Sequence, residues 1–454
     1  MHLYLRLHGI GGIGIIRMSG ENCFEILDKI FQAKKPQRIE EIKGYTIKYG
    51  HIIENNEIID EVLVSYFKKP LSYTTENMCE INSHGGNVLV KKILELCLKN
   101  GAKLAEPGEF TKRAFLNGRI DLLQAESVID VIHAKSEREA KAGMKQLEGK
   151  LSKKIGEIKQ QIMDVMVQLE VTIDYPEYDV EDVTNKQVQE MLNKVEKDLE
   201  ILEKSFDNGK LLKEGIKTAI IGKPNAGKSS LLNALLKEDR AIVTEFEGTT
   251  RDTIEEFVTI QGIPLKLIDT AGIRNAKDEV EKIGIAKSKE IADSADLIIA
   301  IFDSSKELTA EDREILELIK NKKSIILLNK IDLQTSKIDE NQPCLKEVSD
   351  YIIKISALNQ IGLEKLEQAI LDMFQLNEIN LDNEIVITNI RHKALIHQAI
   401  EDVKKAKDAI QKQIPLDMIA IFIKDILEDL GNITGDVVTE DIINEIFARF
   451  CLGK

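Results

Sequence analysis

Cysteine is sparse and unpaired in this chain. Cys23, Cys79, Cys97, Cys344 and Cys451 are scattered, with no CxxC pair among them. That spacing argues against a zinc site and a disulfide framework, and it fits a reducing, cytoplasmic setting. No apolar run approaches the roughly 20 residues that cross a bilayer, so no membrane association is expected. The opening MHLYLRLHGIGG has no long apolar stretch before a small-residue cleavage site, and a signal peptide is not expected. Positive charge is in deficit: 62 Lys and Arg stand against 77 Asp and Glu, a net charge of −15. Taken alone, this argues against broad binding to nucleic-acid phosphates, which needs clustered basic side chains. The local basic stretches 135–159 and 404–412 read first as solvated helix faces. No internal repeat or low-complexity tract stands out.

What is present is a globular composition, 43% hydrophobic and 31% charged over 454 residues. That length is too great for one core, so two to four domains are expected. Residues 1–118 read as an α+β module. IGIIRMSG, GYTIKYGHII and EVLVSYF have strand patterns, and VLVKKILELCLKNG is a helix ended by Gly101. From 119 to 212 the pattern is helical. Leu147, Leu151, Ile155, Ile158, Ile162, Val165, Leu169 and Ile173 recur at steps of four and three, which predicts one face of a long helix stopped by Pro176. A second helix is predicted from Thr184, with Gln187 completing a capping box. It runs through Val188, Leu192, Val195, Leu199 and Leu202.

At 213–378 the pattern changes again. KTAII, LKLID, DLIIAIF, SIILLN and YIIKIS are short, continuously apolar and separated by helical stretches. Such runs suit parallel strands buried on both faces. Residues 379–454 are helical, and are expected to partner the 119–212 helices with the α/β block inserted between.

The segment GKPNAGKS at 222–229 follows the strand KTAII. Backbone N–H groups of such a loop face phosphate oxygens, and the following helix adds its dipole. Lys228 would reach the β- and γ-phosphates and Ser229 would ligate Mg²⁺. DTAG at 269–272 ends the strand LKLID, where Asp269 can act on Mg²⁺ through its bound water and the Gly272 N–H can sense the γ-phosphate. NKID at 329–332 ends another strand. A carboxylate at Asp332 accepts from guanine N1–H and its exocyclic amine together, which adenine cannot match. Asn329 would brace the base and loop, and the Lys330 stem would cover the ring. SAL at 356–358 follows the last strand and offers backbone to guanine O6. Four such motifs in order predict a Ras-like GTPase domain.

Ile273 stands where many such enzymes carry a water-orienting Gln. Glu281 is a candidate for that work, with a solvated helix residue as the other reading. TEFEGTTRD at 244–252 lies where a switch I loop belongs, with Thr250 placed as a second Mg²⁺ ligand. Asn225 offers a carboxamide oxygen beside the phosphates for a monovalent cation in place of an arginine finger.

With these residues in hand, the chain resembles the tRNA modification GTPase family MnmE, also called TrmE. The resemblance covers nearly the whole length. It rests on GGIGIIRMSG, EINSHGG, PGEFTKRAFLNGRIDLLQAE, IDYPEYD, GKPNAGKSS, EGTTRD, DTAGIR, NKID and the terminal FCLGK. It implies a multidomain fold: an N-terminal α+β domain, an α-helical bundle domain and an inserted Ras-like α/β P-loop GTPase domain. It further implies a homodimer through the N-terminal domain, a formyl-tetrahydrofolate-type one-carbon donor, and an FAD-dependent partner, MnmG (GidA). Together these modify C5 of the tRNA wobble uridine with an aminomethyl or carboxymethylaminomethyl group, and K⁺ stimulates GTP hydrolysis.

Carried across by motif, GTP falls against Asn225, Ala226, Gly227, Lys228, Ser229 and Ser230. It also meets Thr244, Glu245, Phe246, Glu247, Gly248, Thr249 and Thr250; Asp269, Thr270, Ala271 and Gly272; Asn329, Lys330 and Asp332; and Ser356, Ala357 and Leu358. K⁺ falls to Asn225 and Thr249 with the backbone of Thr244 and Phe246. Mg²⁺ falls to Ser229 and Thr250, and Glu281 takes the water-orienting role. The folate-type donor falls to Arg17, Glu80, Arg119 and Lys454. Ile10 stands where the family usually has Arg, and Arg119 where Lys is common.

A GTP-dependent assembly or binding factor without base chemistry is the competing class. The N-terminal PGEFTKRAF and the terminal Cys-Leu-Gly-Lys separate the two, since an assembly factor needs neither. Ile442, Ile446, Phe447 and Phe450 fall on one face, which predicts a docked C-terminal helix rather than a frayed end. The resemblance places Cys451 near the one-carbon donor, as a modification thiol or a buried structural one.

Overall fold

The computed structural model describes all residues except 1, 6–10, 36–37, 39–40, 175–180, 238–255, 269–284, 334–335, 375, 377–384, 451–452 and 454. The chain divides into two compact units. One comprises Met1–Ile129, Lys145–Met191 and Lys405–Lys454; the other comprises Asp130–Met144 and Leu192–Lys404.

The first unit is built on a seven-stranded sheet. Its strands are β1 (His2–Leu5), β2 (Ile13–Ser19), β3 (Phe31–Ala33), β4 (Thr46–Glu54), β5 (Glu57–Phe67), β6 (Met78–His84) and β7 (Lys103–Leu104), in the order β3-β4-β5-β6-β2-β1-β7. Period-two alternation dictates which side of each strand is buried. Ile16, Met18, Ile52, Val62, Val64 and Ile81 enter one core with residues of α1 (Cys23–Ile30) and α2 (Asn87–Lys99). Across the sheet, Tyr49 pairs with Leu63, Leu63 with Asn82, and Asn82 with Ile15. Tyr49, Leu63 and Ile15 in that row remain exposed. The helix α2 ends as expected, with Gly101 at φ +106°.

Helices α3 (Glu109–Leu116), α4 (Leu122–Ile132), α5 (Glu137–Leu147), α6 (Lys150–Asp174) and α7 (Glu181–Glu214) follow. The apolar stripe predicted as one helix is broken: α5 ends at Leu147 and α6 begins at Lys150. Gly149, at φ +83°, makes the break, because a left-handed residue cannot continue an α-helix. Ile173 at the far end of the stripe is exposed. The second helix starts at Glu181 rather than at Thr184. The T-x-x-Q spacing that signals a capping box also occurs inside helices. Val188, Leu192, Val195, Leu199 and Leu202 are buried as expected.

C-terminal helices α13 (Ile390–Gln411), α14 (Leu416–Thr434) and α15 (Glu440–Ala448) complete the helical parts. Within the first unit α14 packs on α6, reinforced by an ion pair between Lys159 and Asp436. Within the second, His397 of α13 meets Glu203 of α7 at 2.8 Å. The expected partnership of the two helical stretches is therefore found. Phe447 and Phe450 are buried and Ile446 packs against the same core, as predicted; Ile442 is exposed and Ile443 is buried in its stead.

The α/β block forms a six-stranded sheet, β13-β12-β11-β8-β10-β9. Its strands are β8 (Ile216–Ile221), β9 (Glu256–Ile260), β10 (Ile263–Ile268), β11 (Leu297–Asp303), β12 (Ser324–Asn329) and β13 (Tyr351–Lys354). All neighbours are parallel except the edge pair β9–β10. Helices α8 (Lys228–Lys237), α9 (Ile285–Ser294), α10 (Ala310–Ile319), α11 (Pro343–Lys346) and α12 (Leu363–Met373) connect or follow them. Every residue of β12 is buried, as is β11 apart from Asp303. Core residues lie on both faces of the sheet. Each such Ile or Leu contributes about 1.5–3 kcal/mol of burial, and the two-sided demand explains the unbroken apolar runs. The antiparallel strand β9 was not anticipated.

Candidate functional site

The candidate nucleotide site lies where β8, β12 and β13 end. The loop after β8 requires glycine at two points. A Cβ on Gly222 would lie 2.5 Å from the Ile301 carbonyl oxygen. Gly227 has φ +113° and its missing Cβ makes room for the Asn329 amide. Asn225, at the loop apex, is exposed and left-handed at φ 61°. Lys228 Nζ donates to the carbonyls of Gly222 at 2.6 Å and Lys223 at 2.8 Å, so its ammonium lies along the loop. Ser229 and Ser230 are exposed in the first turn of α8.

Asn329 ties three segments together. Its Nδ2 donates to Ala226 O at 2.8 Å in the phosphate loop, and its Oδ1 accepts from the Ala357 N–H at 2.9 Å after β13. Asp332 is exposed and accepts from Ser356 Oγ at 2.6 Å. Leu358 is 78% exposed at the rim. The described members of all three motifs therefore converge. The Ser356 hydroxyl holds the Asp332 carboxylate, a contact not foreseen. Also unforeseen is Asp303, the last residue of β11, which holds Lys330 Nζ at 2.6 Å. Thr244, Glu245, Phe246, Glu247, Gly248, Thr249, Thr250, Asp269, Thr270, Ala271, Gly272 and Glu281 lie outside the described residues.

A second polar cluster lies in the first unit. Arg17 on β2 and Glu80 on β6 are register partners, and two guanidinium nitrogens reach Glu80 Oε1 at 2.8 and 2.6 Å. Arg17 also donates to the carbonyl of buried Gly453 at 3.1 Å. The Tyr73 ring has the Arg119 guanidinium 4.7 Å and the Arg17 guanidinium 5.9 Å from its centroid, both within cation–π range. Arg17, Glu80 and Arg119 are thus brought together, with Tyr73 as the residue sequence reasoning missed. Cys451 and Lys454 lie outside the described residues, as does Ile10.

The tail before Gly453 is docked. Phe447 and Phe450 are buried with ring centroids 4.9 Å apart. Gly108, in the PGEF segment, has φ +70°, and a Cβ there would lie 2.7 Å from Phe447 O. Lys112 Nζ donates to Asn444 at 2.6 Å. The buried thiols Cys79 and Cys97 do not suit nucleophilic work. Burial pushes Cys97 up to about 12, and a hydrogen bond with Cys23, with burial adding to it, holds Cys79 well above the usual thiol range. Among the described residues no His, Cys, Asp or Glu cluster could hold a metal, and no helix is long and apolar enough to cross a membrane.

A sheet with five parallel strands, a GKPNAGKS loop after the first of them and NKID and SAL loops after two later ones defines a P-loop GTPase within a multidomain chain. The family model described as the MnmE helical domain matches residues 122–451, and that of the GTP-binding protein TrmE N-terminus matches 6–119. The tRNA modification GTPase MnmE of Acetivibrio thermocellus is 50% identical over 450 residues, covering 98% of this chain and 97% of that one. Its namesake in Thermoanaerobacter pseudethanolicus is 51% identical over 450 residues, again 98% and 97% of the two chains. The chain belongs to the MnmE (TrmE) family of tRNA modification GTPases.

Proposed function

We propose that this protein is a cytoplasmic, K⁺-stimulated GTPase that acts with an FAD-dependent MnmG-type partner on tRNA. The pair modifies C5 of the wobble uridine with an aminomethyl or carboxymethylaminomethyl group, using a formyl-tetrahydrofolate-type donor. The observation that carries this reading is half-identity to tRNA modification GTPases along 98% of the chain, supported by the contacts that join the GKPNAGKS, NKID and SAL loops through Asn329 and Ser356.

In this reading GTP hydrolysis belongs to residues 213–378, the donor site to 1–118, and the helical parts 119–212 and 379–454 link the two. Lys228 leaves the Gly222 and Lys223 carbonyls for the β- and γ-phosphates. Asp332 accepts from guanine N1–H and its amine, with Ser356 holding the carboxylate and Asn329 the loop. The exposed Asn225 side chain at the loop apex fits a monovalent cation, with Thr249 and the backbone of Thr244 and Phe246 as its other ligands. Ser229 and Thr250 hold Mg²⁺, with Asp269 behind them, and Glu281 orients the attacking water. The cations supply charge compensation to the phosphates when bound.

For the donor, the two guanidinium groups of Arg17 and Arg119, both within cation–π range of the Tyr73 ring, suit an anionic ligand. Glu80 fixes Arg17, Lys454 closes the site, and Cys451 serves the modification step. The exposed row Tyr49, Leu63 and Ile15 supports a second copy of the chain on that sheet.

Nucleoside mass spectrometry of tRNA from a strain lacking this protein tests the central claim, and an unchanged wobble uridine defeats it. Equal GTP turnover in K⁺ and Na⁺ removes the cation assignment. Asp332→Asn tests the base assignment. An amide can donate to the xanthine C2 carbonyl where the carboxylate cannot, so preference should move from GTP to XTP.

A further inference from the structure

Between the phosphate loop and the base loops runs the connection from β11 to α10, which no nucleotide motif includes. It is anchored at both ends. At its far end Lys223 of the phosphate loop pairs with Asp312 at 2.6 Å and donates to Thr309 Oγ1 at 2.7 Å, at the capping box that starts α10. At its near end Asp303 meets Lys330, and the Ser304 N–H donates to Asn329 O at 2.9 Å.

Lys330 is not a relaxed residue. Its φ is 69°, in the left-handed region that side chains with a Cβ avoid. Such a conformation persists only where its surroundings over-determine it. Backbone bonds on either side supply that constraint, from Ile331 N–H to Ile355 O at 3.3 Å and from Leu333 N–H to Lys330 O at 3.1 Å, while Asp303 fixes the far end of the side chain. The carboxylate is itself fixed, accepting from Ser305 N–H at 3.1 Å and Ser305 Oγ at 2.6 Å. It is 10% exposed and the Lys330 side chain 30%. Burial pushes the Asp303 carboxyl up, but the hydrogen bonds from Lys330 and Ser305 outweigh it and hold it below the usual range. Asp303 and Asn329 are also register partners across β11 and β12, so strand pairing sets where the carboxylate stands.

We propose that Asp303 is a positioning residue for GTP: by holding Lys330 Nζ it stretches the Lys330 stem into the place where the guanine ring packs. A lysine stem has many rotamers, and ordering it before binding removes that cost from the binding step. The effect belongs to affinity, because the base is remote from the bond that breaks. The inference rests on the reading that guanine lies against Lys330. Asp332→Asn examines that reading separately: if base preference does not move, the base site itself is misassigned.

The test uses the full chain, with a fluorescent GDP analogue for equilibrium binding and GTP for steady-state turnover. Asp303→Asn should raise both Kd and KM about tenfold, equivalent to about 1.4 kcal/mol, and leave kcat unchanged. On a Lys330→Ala background the same substitution should add less than about twofold, since the side chain it acts through is gone. An unchanged Kd, a change confined to kcat, or an undiminished loss on the Lys330→Ala background overturns the proposal. Should Asp303→Asn fail to fold, Ser305→Ala removes one donor to the same carboxylate. It should raise Kd about two- to threefold, and no rise overturns the proposal equally.

Discussion

Replacing Asn329 by alanine should cost the protein far more than an ordinary polar truncation. The side chain is 3% exposed and makes one bond each way, to Ala226 O at 2.8 Å and from Ala357 N–H at 2.9 Å. Alanine leaves a buried carbonyl and a buried N–H without partners. Each such orphan costs about 1–3 kcal/mol, so the sum is about 2–6 kcal/mol. For a unit of this size each kcal/mol lowers Tm by roughly 2–4 °C. Calorimetry of the nucleotide-free full chain should therefore show a drop on the order of 10 °C in the transition of that unit.

Asn329→Asp sharpens the case. It keeps the acceptor for Ala357 but sets a carboxylate oxygen against the Ala226 carbonyl, and buries a charge without a partner. Its loss should equal or exceed that of alanine. A loss below about 1 kcal/mol for alanine, or a milder loss for aspartate than for alanine, would refute the bridging role.

Other expectations follow from the same reasoning. Burial raises Glu139 to about 7, although its carboxylate accepts from the Lys135 N–H at 2.6 Å. The folded chain thus binds this proton more tightly than the unfolded one. Stability should fall as pH rises from about 4.3, the ordinary Glu value, through 7. Glu139→Gln keeps the acceptor and should flatten that slope in thermal melts at pH 5 and pH 8; superimposable profiles contradict it. Gly108→Ala should loosen the C-terminal tail, since it adds about 1–2 kcal/mol of left-handed strain and drives a methyl at the Phe447 carbonyl. Carboxypeptidase should then release C-terminal residues faster, and unchanged release argues against the docking described.

The legible parts of the molecule were the local ones. Strand, loop and helix at 216–237 sit in one stretch of sequence, so a short pattern carries both the turn and the helix start. The continuous apolar runs gave five parallel strands because burial on two faces leaves no polar alternation. The illegible parts depend on pairing at a distance. Asp303 is only a strand's last residue until β11 and β12 align and bring it to Lys330. Tyr73 has no motif, and its nearness to Arg17 and Arg119 follows from folding of the first unit. Gly149 interrupts a stripe of apolar residues at steps of four and three by backbone conformation alone, which side-chain periodicity does not register. The strand β9 is short and antiparallel, outside the pattern used to find its neighbours.

The bond from Arg17 to the Gly453 carbonyl joins residues 436 positions apart. Chains grow at about 5–20 residues per second, so Arg17 waits on the order of half a minute or more for its partner to be made. For that interval its guanidinium has Glu80 but not the tail carbonyl. A chain that stops short of Gly453 never completes the cluster, even with its first sheet and its nucleotide loops fully formed. Assembly of the Arg17 cluster therefore reports that synthesis has run through the tail.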